Sequence, residues 1–90
     1  MTNDEYTYLR FLTGAIAQDP SQARAFIDHT QRVTDEDQTG LKTSIDVLIS
    51  ALPDEGNSLN TQGLREIADT LMDAEDESEQ IVGLVLSSSL

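Results

Sequence analysis

The chain has 90 residues, of which 17 are acidic and five basic, giving a formal net charge of -12 and a sequence pI near 4.1. So negative a surface repels phosphate backbones and anionic lipid headgroups, which excludes direct nucleic-acid and membrane binding as expectations and leaves basic proteins, cations or concentrated salt as counterparts. The absence of cysteine excludes a disulfide scaffold, a thiolate zinc site and a cysteine nucleophile, and favours a cytoplasmic location.

The first predicted helix covers 3–18. Thr2 and Glu5 have the spacing of a capping box, with Met1 and Tyr6 as the flanking hydrophobic staple, and Tyr8, Leu9, Phe11, Leu12, Ala15 and Ile16 supply its apolar residues. Ala15-Ile16-Ala17 looks like a leader cleavage site, but Asp4 and Glu5 stand where a leader needs positive charge and Arg10 interrupts the apolar stretch, so no leader is expected. Asp19-Pro20 ends this helix and opens a second over 20–33, Asp19 accepting from orphan amides and Pro20 filling the first helical position. Its inward face is Ala23, Phe26, Ile27, Thr30 and Val33.

Thr34-Asp35-Glu36-Asp37 reads as a cap followed by a first turn of carboxylates at the positive end of a third helix, 35–52. Leu41, Ile45, Leu48, Ile49 and Leu52 form its stripe and Pro53 closes it, leaving 53–58 as a loop. Asn60 caps a fourth helix, 61–74, with Leu59 and Leu64 as a staple and Leu64, Ile67, Ala68, Leu71 and Met72 facing inward. Were that helix to run on, Glu75 and Glu79 would join a buried stripe, which is costly for unpaired carboxylates. A break within 73–76 and a fifth helix over 77–88 is therefore expected, with one long helix as the alternative. The apolar run from Ile81 to Leu86 falls far short of the roughly 20 residues needed to span a bilayer. The expected fold is an all-α, compact bundle of four to five short helices forming a single domain over 1–90, a length that buries roughly 60–65 % of its unfolded surface.

Gly40-Leu41-Lys42 with Asp46, Leu48 and Ala51 recurs 23 residues later as Gly63-Leu64-Arg65 with Asp69, Leu71 and Ala74. We read this as two helices sharing a burial pattern rather than as a duplication. Asp35 to Asp46 also fits the skeleton of a twelve-residue calcium loop, with Asp35, Asp37, Thr39 and Asp46 as ligands and Gly40 at the sharp turn, and so resembles an EF-hand or dockerin loop over these residues. Position twelve is Asp rather than Glu, Lys42 takes a position normally apolar, and no second loop follows. The capped helix start is the preferred reading, and no metal or other cofactor is expected. His29 is the sole histidine, beside Asp28 and off the apolar stripe, and no phosphate loop or nucleophile elbow is present, so the chain is not expected to be an enzyme.

The expected function is that of a small non-catalytic module that binds or neutralises a basic protein, as an immunity protein or inhibitor does. In size and helix count the chain looks like bacteriocin immunity proteins, without a shared motif. The alternatives are a nucleic-acid mimic, a domain adapted to a halophile's solvent, and a single calcium-loop domain. The interaction surface is placed at Asp73, Glu75, Asp76, Glu77 and Glu79, followed by Ile81, Val82, Val85 and Leu86. These last four are too apolar to remain solvated and pack either in the chain's own core or against a second copy, so the chain is a monomer or a homodimer through this segment.

Overall fold

The computed structural model describes residues 2–53 and 59–90. These form α1 (Asn3–Gln18), a 3-10 turn (Pro20–Gln22), α2 (Ala23–Val33), α3 (Thr39–Ala51), α4 (Thr61–Met72) and α5 (Glu77–Ser89), with no strand among the described residues. The architecture is an all-α bundle around one core, to which α1 gives Leu9, Leu12 and Ile16, α2 Ala23 and Ile27, α3 Leu41, Ile45 and Leu48, α4 Leu64, Ala68 and Leu71, and α5 Val82 and Leu86.

The first helix begins as a capping box: Thr2 Oγ1 accepts from the Glu5 amide and Glu5 Oε1 from the Thr2 amide. Met1, the expected staple partner of Tyr6, lies outside the described residues. The apolar face of α1 is narrower than its sequence suggests. The six apolar residues span more of the helix circumference than its neighbours cover, and Tyr8 and Phe11 are left 49 % and 73 % exposed. Val33, at the end of α2, is likewise on the outside. The Asp19 carboxylate accepts from the Ser21 hydroxyl at 2.6 Å rather than from an orphan amide, so the 3-10 turn leads into α2 without a side-chain cap.

The third helix starts four residues later than its sequence-based start, at Thr39 rather than Asp35. Thr34 does not cap it; its hydroxyl turns back to the Thr30 carbonyl at the end of α2. A helix begun at Asp35 would bond the Leu41 amide to the Asp37 carbonyl. That amide instead donates to Glu5 Oε2 at 2.7 Å, so the free end of α3 is closed by a carboxylate from α1. Asp35 to Gln38 fold as a separate turn, the Gln38 amide donating to the Asp35 carbonyl and Gln38 Oε1 accepting from the Asp35 amide. Gly40 therefore occupies the first turn of α3 and not a helix interior. The far end of α3 is pinned by Arg24 of α2, which donates to the Pro53 carbonyl at 2.6 Å.

Asn60 caps α4 by accepting from the Gly63 amide at 2.8 Å. The chain then breaks at 73–76 and restarts with Asp76, whose carboxylate accepts from the Ser78 and Glu79 amides. Gln80 Nε2 reaches back across the break to the Ala74 carbonyl at 2.6 Å. The two helices on either side approach closely at Gly83, where a Cβ would come within 2.8 Å of the Met72 nitrogen and 2.9 Å of the Ala68 oxygen.

Candidate functional site

Break and cap together put the acids of the α4–α5 turn on the outside. Asp73, Glu75, Asp76 and Glu77 are exposed and Glu79 is half-buried. From Glu66 to the C-terminus the chain has seven acidic residues and no basic one. The turn is thus the most one-sided stretch of charge in the molecule; Asp76, Glu77 and Glu79 lie at the start of α5, where the helix dipole favours them, while Asp73 sits at the C-cap of α4, where it does not.

The apolar part of the expected surface separates into two groups. Val82 and Leu86 have no exposed surface and belong to the core, so they are not available to a partner. Ile81 and Val85 are half-buried at the edge of a groove between α1 and α5 that Tyr6, Arg10, Leu84 and Ser88 also line. Leu84, which the sequence reading passed over, is 57 % exposed and stands in the middle of the outer face of α5. The signal for it was the spacing Glu77, Ile81, Leu84, Ser88, a four-three-four step that keeps residues on one helical stripe opposite Val82 and Leu86. α1 is held beside this stripe by the Thr13 and Ser89 hydroxyls, 2.9 Å apart, with Thr13 fully buried and also donating to the Arg10 carbonyl.

The calcium skeleton is not assembled as a loop. Thr39 to Asp46 is helical, which sets those two residues almost two turns and about 10 Å apart along the α3 axis. Asp35 and Asp37 lie in the exposed turn before it, and no cluster of three metal-binding side chains occurs among the described residues. His29 is exposed on α2. A second groove, of about 420 Å³, runs between the end of α3 and α4, where Glu66 is the one ionisable residue among the described lining residues, beside apolar side chains such as Leu59 and Ile67.

The carboxylate with the most structural work is Glu5, which is buried and accepts from two backbone amides at once. Hydrogen bonds from the Thr2 amide, then from the Leu41 amide, hold its carboxyl below the ordinary glutamate value. Its role is to join α1 to α3. Among the described residues every buried side-chain polar atom has a partner, so the core offers no unmet polar group to a ligand. No described helix is long and apolar enough to cross a membrane. Compared with protein-family models, curated proteins and solved structures, the chain matches none.

Proposed function

We propose that the chain is a small, non-catalytic, protein-binding module whose partner presents a basic surface, and that it acts in the cytoplasm. The observation that supports it is the α4–α5 turn: four exposed carboxylates, from Asp73 to Glu77, with no basic residue after Arg65 to neutralise them. Such a patch on a chain of net charge -12 attracts basic surfaces over a Debye length and accelerates encounter more than it tightens the final complex. The lack of cysteine fits a reducing compartment.

The test uses a lysine-rich helical peptide as the basic probe, titrated into the isotopically labelled protein at low and at physiological salt. Amide shifts should concentrate on Asp73 to Glu79 and fade with salt. Exchanging Asp73, Glu75 and Asp76 for their amides should abolish them. Shifts scattered evenly over all acidic residues would instead support solvent adaptation, a reading favoured by exposed acids on every helix, among them Asp4, Asp28, Asp46, Glu66 and Glu77.

A further inference from the structure

The outer stripe of α5 has an arrangement that the acidic turn does not explain. Glu77, Ile81, Leu84 and Ser88 follow one another at the spacing of alternating a and d positions of a two-heptad seam. The stripe faces outward, with Leu84 57 % exposed at its centre and Ile81 half-buried beside it. An anion, Glu77, stands at the N-terminal end. At the other end, about 16 Å along the helix, a cation from a different element enters: Arg10 of α1, which lines the groove with Leu84 and Ser88, its backbone fixed beside α5 through Thr13, whose hydroxyl bonds the Arg10 carbonyl and meets the Ser89 hydroxyl.

We propose that this stripe is a self-complementary interface on which a second copy of the chain docks, α5 antiparallel to α5. The register follows from the residues. Setting Ile81 against the partner's Leu84 sets Glu77 against the partner's Ser88, and the partner's Arg10 lies beside that serine. Two-fold symmetry repeats both contacts, as an isologous interface must. The apolar centre is covered twice, two Glu77–Arg10 pairs close the rim, and the opposed helix dipoles meet head to tail. A parallel arrangement would put Glu77 against Glu77 and Arg10 against Arg10. A basic partner is a poorer occupant for this groove, because Arg10 stands in it. The proposal is independent of the acidic turn's role.

Sedimentation of the full chain at about 0.15 M salt, over a concentration range reaching millimolar, tests it. The unmodified protein should show a concentration-dependent monomer–dimer equilibrium. Leu84→Asp should leave the helical circular dichroism unchanged and give a monomer. Arg10→Glu and Glu77→Arg should each weaken dimerisation by about tenfold or more, since each sets like charges together at both rims. An equimolar mixture of these two variants restores opposite charges at both rims and should dimerise as the unmodified chain does. A protein that stays monomeric at millimolar concentration, a dimer indifferent to Leu84→Asp, or a mixture no better than either variant alone would overturn the proposal.

Discussion

Glu5 joins two helices through one carboxyl group, Oε1 closing the capping box of α1 and Oε2 holding the Leu41 amide of α3. The sequence showed the first role, because a capping box is a local pattern of four residues. The second was not legible: Leu41 is 36 residues away, and nothing in the segment before it says that its cap comes from elsewhere. Because the native carboxyl titrates below the ordinary glutamate value, its contribution to stability is complete at neutral pH and is lost as the pH falls from that ordinary value through the native one. Glu5→Gln should therefore be less stable than the unmodified protein at neutral pH, and the gap should close on acidification. Urea unfolding of both proteins from neutral pH down through the carboxylate range checks this. Simple relief of negative charge predicts the opposite, a more stable glutamine variant at neutral pH, and that result would refute the bridging role.

At the scale of elements, glycines inside helices separate what a sequence shows from what packing decides. Gly14 in α1 and Gly83 in α5 look alike in the chain, each a helix-weakening residue within an apolar pattern. In the structure, a Cβ at Gly14 meets nothing within 4 Å, whereas one at Gly83 meets the Met72 nitrogen at 2.8 Å and the Ala68 oxygen at 2.9 Å. Gly14→Ala should thus raise stability by about 1 kcal/mol through helix propensity. Gly83→Ala forces the α4 backbone away and should lower stability by about 1–3 kcal/mol, as overpacking does. Thermal and urea unfolding of the two variants give the sign directly, and the same sign for both would contradict the close approach of α4 and α5. Helix ends were legible where the stop or start is local: Pro53 after α3, Asn60 before α4, and the break at 73–76, since a continuous helix would bury Glu75 and Glu79. Thr34 misled because a Thr hydroxyl, though favoured at helix starts, can also donate to the carbonyl four residues back, here that of Thr30, and the start of α3 is closed instead by the carboxylate of Glu5.

For the whole molecule, charge dominates, and its distribution follows from the helices. Each exposes acids on its outer face, while the five basic residues are spread one or two to each of the first four helices, with none in α5, and one, Arg24, is committed to the Pro53 carbonyl. The composition showed the excess and the sequence its cluster at 73–79; only the fold shows Arg10 set apart beside Leu84. Like-charge repulsion of this extent opposes the compact state, so added salt should stabilise the fold by screening interactions beyond about 8 Å at physiological ionic strength. If the acids serve a partner, the chain must already be folded at about 0.15 M salt, with molar salt adding only modestly to its melting temperature. If they serve a concentrated-salt solvent, the helices should form only as salt approaches molar levels. Circular dichroism followed through a salt titration separates these outcomes, and unfolded protein at physiological salt would refute the binding-module proposal, since a core closed by Leu9, Ile45, Val82 and Leu86 would then assemble only in a solvent that screens the surface around it.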